Sequence, residues 1–152
     1  MVRFLDSGDD RGVPYLVMEL LDGSTVGQLM EGTGLPVRQS VGIACDLLAA
    51  LDHVHRVGIT HRDIKNSNVM VTGEGITKLM DFGLVQESGA TLITAVGSIV
   101  GTPRYLSPEV AAGEDATTSS DLYQVGLLLQ EMLTGRVIME SESAQKVMLA
   151  VM

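Results

Sequence analysis

An α+β fold is predicted by three features of the chain: two short strand-like runs near the N-terminus, a second pair around residue 75, and two long helical stretches. Val2 to Leu5 and Tyr15 to Leu21 are apolar runs separated by Ser7-Gly8-Asp9-Asp10-Arg11-Gly12. Turn chemistry between two such runs predicts an antiparallel hairpin. Asp22-Gly23 breaks the second run. Ser24 and Thr25 then offer a cap to a short helix through Met30, which Glu31-Gly32-Thr33-Gly34 ends.

From Val37 to Arg56 the pattern is helical. Val41, Ala44, Leu48, Leu51 and His55 recur three or four apart, and Cys45 and Leu47 widen the apolar stripe. Pro36 suits the first turn and Gly58 stops the helix. Val69 to Val71 and Thr77 to Met80 read as two strands around Gly73-Glu74-Gly75. Glu87 to Gly101, rich in Gly, Ser, Thr and Ala without a helical period, reads as a mobile loop. Asp121 to Leu133 is apolar on nearly every side, which predicts a buried helix capped from within Thr118 to Ser120. A last amphipathic segment runs from Ser143 to Met152. With no repeats, low-complexity tracts or linkers, the 152 residues read as one domain.

Composition narrows the function classes. The chain is 45% hydrophobic but has no Trp, two Phe and three Tyr, so its core relies on aliphatic residues and on nine Met. A formal charge of −9 argues against nucleic acid as a partner, because neutralising phosphates needs a basic face. It does not exclude ATP, where local cations dominate the field. The single Cys45 cannot form an internal disulfide and reads as a small buried hydrophobe, which favours a reducing, cytoplasmic setting. The N-terminus lacks the apolar core of a signal peptide, and no run of about 18 apolar residues predicts a membrane contact. His53 and His55 have no Cys or carboxylate at metal spacing and read as core or surface histidines.

The chemistry concentrates in His61-Arg62-Asp63-Ile64-Lys65-Asn66-Ser67-Asn68, followed beyond the second strand pair by Asp81-Phe82-Gly83. Any one of these aspartates reads as a cap or surface charge. Together they set a carboxylate, a lysine and an amide on one loop, with a second carboxylate past a hairpin. That set suits a nucleotide triphosphate, its magnesium and a hydroxyl acceptor.

On these two motifs the chain resembles the eukaryotic-type (Hanks-type) serine/threonine protein kinases. Gly101-Thr102-Pro103-Arg104-Tyr105-Leu106-Ser107-Pro108-Glu109 is similar to the docking segment of serine/threonine members, bacterial ones especially. The resemblance implies a protein-kinase-like fold, with residues 1–21 as the end of the small lobe and hinge and 22–152 as an incomplete large lobe. It implies transfer of the ATP γ-phosphate to Ser/Thr hydroxyls of protein substrates. Asp63 would accept or orient the acceptor proton, Lys65 would meet the transferring phosphate, and Thr102 would bridge the two. Asn68 and Asp81 would hold Mg2+. Met18, Glu19 and Leu21 would form the hinge beside the adenine, with Met70 as its floor.

The same resemblance pairs His61 with Phe82, makes Asp121 a brace for the loop backbone (a helix cap being the plain alternative), and leaves Glu109 without the arginine that members place further on. Arg62 would await an anion, with Thr91, Thr94 and Ser98 as candidate phosphorylation sites. No glycine-rich phosphate loop and no lysine strand precede the motif, so the expectation is a truncated domain with weak or no activity alone. A truncated pseudokinase or binding scaffold is the alternative, opposed by the intact Asp63, Lys65, Asn68 and Asp81. A small-molecule kinase is disfavoured by the segment from Gly101 to Glu109.

Overall fold

A computed structural model describes residues 1–80 and 103–137. The expectations placed on Asp81, Phe82, Gly83, the loop through Gly101, Thr102 and the segment from Ser143 lie outside the described residues.

The N-terminal hairpin forms from β1 (Phe4–Asp10) and β2 (Val13–Met18), paired antiparallel with a register shift between Phe4 and Asp6. Its turn is tighter than the sequence suggested. Only Arg11 (φ 56°) and Gly12 (φ 84°) leave the ladder, so Ser7 to Asp10 belong to the strand. A two-residue turn with both φ values positive matches the twist of paired strands, and the Asp9 carboxylate takes the Gly12 N–H at 2.7 Å.

A second, three-stranded sheet follows the order β3 (Gly23–Thr25), β4 (Val69–Thr72), β5 (Thr77–Leu79), all antiparallel. Thr25 caps α1 (Val26–Met30), with Gln28 bonding back to the cap's own N–H.

Helix α2 (Val37–His55) buries Ser40, Ile43, Ala44, Leu47, Leu51 and Val54. The buried stripe is therefore one residue round from the expected one. Val41, Cys45 and Leu48 lie on its exposed flank, which corrects the reading of Cys45 as a buried hydrophobe. Ser40 is tolerated inside because its hydroxyl donates to the Pro36 carbonyl at 3.3 Å. Pro36 is the N-cap rather than a first-turn residue, and Gly58 (φ 77°) supplies the left-handed residue after the helix.

After one 3-10 turn (Pro103–Tyr105) and the short α3 (Pro108–Ala111), helix α4 (Thr118–Thr134) completes the described chain. Its cap is Thr117, one residue before the expected range, in a reciprocal pair with Ser120. It is not buried on all sides: Leu122 and Leu133 are exposed, while Asp121, Gln124 and Glu131 are inside. Leu128 packs with Leu47 and Leu51 of α2 in the core, each such burial contributing about 2 kcal/mol. The α4 end meets the Thr33–Leu35 turn so closely that a Cβ on Gly135 would fall 2.6 Å from the Gly34 nitrogen. The observed strands and helices make the α+β class of the prediction correct.

Candidate active site

The loop from His61 to Asn68 crosses between α2 and β4 without a sheet partner among the described residues, so side chains pair most of its amides. Helix α4 supplies the acceptors for three of them. The buried Asp121 carboxylate accepts the His61 N–H at 2.9 Å and the Arg62 N–H at 2.8 Å. Gln124 accepts the Ile64 N–H at 2.9 Å and donates to the carbonyls of Arg62 and Tyr105, both at 3.2 Å. These bonds hold Arg62 at φ 70°, a left-handed conformation that costs a non-glycine residue about 1 kcal/mol or more. Asp121 is thus the brace that the resemblance implied, and not merely a helix cap.

Within this frame Asp63 is half-buried and its Oδ2 takes two donors. Lys65 Nζ and Asn68 Nδ2 each lie 2.8 Å away, and Nδ2 also donates to the Asp63 carbonyl at 2.9 Å. Among the described residues no donor reaches Asp63 Oδ1. Ile64, between the polar positions, is fully buried and anchors the loop in the core.

His61 is fully buried, and its Nε2–H donates to the Met80 carbonyl at 2.9 Å. That bond leaves Nδ1 as the acceptor facing the Asp63 N–H at 3.4 Å. Met80 in turn donates its N–H to the Asn68 carbonyl at 2.8 Å. Met80, between the end of β5 and Asp81, is therefore tied to the loop from both sides.

The nucleotide-side expectations fall on the strands. Met70, half-buried in β4, pairs with Thr25 on one side and Lys78 on the other. Met18 ends β2 opposite Phe4 and is exposed. Glu19 gives its N–H to the Arg3 carbonyl, and its carboxylate takes Lys78 Nζ at 2.8 Å and the Arg3 N–H at 2.7 Å. The Lys78 ammonium, with help from that N–H, holds the Glu19 carboxyl below the usual range. Leu21 is half-buried. Structure thus gathers Asp63, Lys65 and Asn68 into one cluster, while Asp81 and Thr102 lie outside the described residues.

Arg62 is exposed and forms no ion pair among the described residues. Glu109 has the Ser120 hydroxyl as a donor, and that bond holds its carboxyl below the usual range.

Sequence reasoning missed three participants. Gln124 looked like an ordinary helix residue. His55, placed on the apolar stripe, puts Nε2 2.7 Å from Asp121 Oδ2. Glu131, 5% exposed, accepts from Tyr105 Oη and from Asn66 Nδ2 (2.9 Å). Burial, and then the Glu131 carboxylate, push the Tyr105 hydroxyl well above its usual range. Polar residues at 121, 124 and 131, three and seven apart and so on one face of an otherwise leucine-rich helix, were the available signal.

The whole chain, residues 1–152, matches the protein kinase domain. It is 44% identical over 143 residues to a probable serine/threonine-protein kinase PknB of Bifidobacterium longum, covering 91% of this chain and 21% of that protein. Similarity to the serine/threonine-protein kinase PknL of Mycobacterium tuberculosis is 41% identity, over 95% of this chain and 36% of the relative. For the serine/threonine-protein kinase PrkC of Bacillus subtilis it is 37%, over 98% and 23%. The chain spans between about a fifth and about a third of the length of these relatives. With the cluster around Asp63 described and the domain match running from first residue to last, this chain belongs to the protein kinase family.

Proposed function

We propose that the protein transfers the γ-phosphate of ATP to serine or threonine hydroxyls of protein substrates. The observation that carries this reading is the Asp63 carboxylate, with one oxygen fixed by Lys65 and Asn68 and the other free of donors among the described residues. An acceptor hydroxyl that bonds to Oδ1 has its proton oriented onto a carboxylate that Asn68 Nδ2 still holds when Lys65 turns to the phosphate. Phosphoryl transfer asks mainly for such alignment and for charge neutralisation.

Lys65 changes partners in this scheme. Its ammonium sits on Asp63 now, and a bound triphosphate offers a stronger anion within reach of the same flexible stem. Asn68 suits magnesium on its donor chemistry. Its amide nitrogen is spent on Asp63, while among the described residues Oδ1 takes only the Ser67 hydroxyl at 3.3 Å and remains a hard oxygen. Asn68 and Asp81 would hold the ion, which when bound offsets charge on the phosphates. Thr102 would bridge Asp63 and Lys65. Met18, Glu19, Leu21 and Met70 would receive the adenine, with residues 1–21 as the end of the small lobe and hinge and 22–152 as large lobe.

The test is transfer of labelled γ-phosphate to serine and threonine peptides with magnesium. Asp63→Asn is expected to lower the rate about a hundredfold or more. Equal transfer by the variant would overturn the reading, and ATP binding without any transfer would favour a docking module.

A further inference from the structure

Asn66 lies between Lys65 and Asn68 and is tied to three separate elements. Its carbonyl accepts the Gly27 N–H of α1 at 3.0 Å. Its own N–H donates to Tyr105 Oη at 3.3 Å, and its Nδ2 donates to Glu131 Oε1 of α4 at 2.9 Å. Glu131 also receives the Tyr105 hydroxyl on its other oxygen. This carboxylate is buried and forms no ion pair among the described residues, so two neutral donors carry its stabilisation.

From this geometry we infer that Asn66 is a positioning residue that sets the distance between the Asp63 cluster and the segment beginning at Tyr105, and so aligns the acceptor peptide. The inference rests on the phosphoryl-transfer reading above. Asp63, Lys65 and Asn68 flank Asn66 within five residues of chain and move with it. Tyr105 opens the stretch that leads to Glu109, and it reaches Asn66 directly and through Glu131. One residue therefore fixes the hydroxyl-orienting carboxylate against the acceptor-side segment. The adenine-side residues Met18 and Met70 are held by strand pairing instead, so displacement of Asn66 leaves the adenine contacts in place while it shifts the Asp63 cluster against the acceptor.

The chemistry of the pair allows a test by reversal. In Asn66→Asp two carboxylates face each other and the link breaks. In Asn66→Asp combined with Glu131→Gln the amide of residue 131 donates to residue 66, while its oxygen still accepts from Tyr105. The full chain is assayed with ATP, magnesium and a serine peptide, and its backbone amide exchange is followed without ligands. Asn66→Asp is expected to raise the acceptor KM about tenfold, to leave the ATP KM within about twofold, and to speed exchange across residues 61–68. The double variant is expected to restore both readouts.

An acceptor KM unchanged in the single variant, or a double variant as defective as the single, overturns the inference. If the single variant does not fold, the double variant decides alone: a folded protein with the original acceptor KM supports the pair, and a defective one overturns it. Absence of transfer by the unsubstituted chain would bear on the functional reading and not on the pair. In that case unaltered exchange in Asn66→Asp still removes the anchor, and faster exchange reversed in the double variant still supports it.

Discussion

Around the loop from His61 to Asn68, the side chains of His61, Asn68, Asp121, Gln124 and Glu131 are all buried and all hydrogen-bonded. Across the β1–β2 hairpin every residue but Gly8 is exposed, including Phe4, Val13 and Tyr15. The hairpin's amides are paired by a main-chain ladder that does not depend on which side chains it carries. The loop has no ladder among the described residues, and the amides of His61, Arg62 and Ile64 each depend on one particular side chain from α4. Substitutions should therefore act in opposite proportion to what hydrophobicity suggests: polar changes under the loop should cost much, and apolar changes on the hairpin little.

The largest expected effect is Asp121→Ala. It leaves the N–H groups of His61 and Arg62 buried without an acceptor and removes the partner of His55. Stability should fall by about 3 kcal/mol or more in urea unfolding, since each unmet buried group costs about 1–3 kcal/mol. Asp121→Asn keeps one acceptor and should cost about half. Gln124→Leu comes next, at about 2 kcal/mol. It preserves volume but abandons the Ile64 N–H and two carbonyls. A loss below about 1 kcal/mol for both residues would break the comparison, because the loop would then hold itself.

The same contrast explains what the sequence disclosed. Asp63, Lys65 and Asn68 were legible because their chemistry is local in the chain, within six residues. Their supports were not, because Gln124 and Glu131 reach the loop from a helix some sixty residues on. Hydrophobic period sees only apolar residues, so the leucines of α4 suggested burial on all sides. In the structure the polar row faces inward because the loop amides need it, and Leu122 and Leu133 are left outside. On α2 the period was right but its phase was not, since Ser40 enters the core by bonding its own helix and Cys45 does not enter it. At the hairpin, Arg11-Gly12 alone makes the turn, so acidic residues that read as loop became strand.

Val13→Thr tests the other side. Val13 is 66% exposed in β2, opposite Asp10, and threonine keeps the branched shape that strands accommodate. The expected change in unfolding free energy is within about 0.5 kcal/mol. A loss comparable to that of Gln124→Leu would mean that the hairpin's apolar face is packed in solution, and the two regions would no longer differ in kind.

The smallest effect belongs to the side-chain tie between the end of the hairpin and the second sheet, Glu19 to Lys78. Lys78 first, and then the Arg3 N–H, hold the Glu19 carboxyl below its usual value of about 4.3. A depressed carboxyl contributes its stabilisation in full above the unfolded value, and loses it as pH falls from there through the folded value. Acidification from about pH 5 to below about pH 4 should therefore loosen the Arg3 and Glu19 amides before the loop responds. Lys78→Gln removes the largest cause and should move this loosening to higher pH, toward the ordinary glutamate range. Site-resolved amide exchange across that interval reads both outcomes. If the Arg3 amide were indifferent to pH, or if Asp121-bound amides loosened together with it, the hairpin and the loop would form one cooperative unit. The separation between ladder-held and side-chain-held regions would then be one of geometry only, and not of stability.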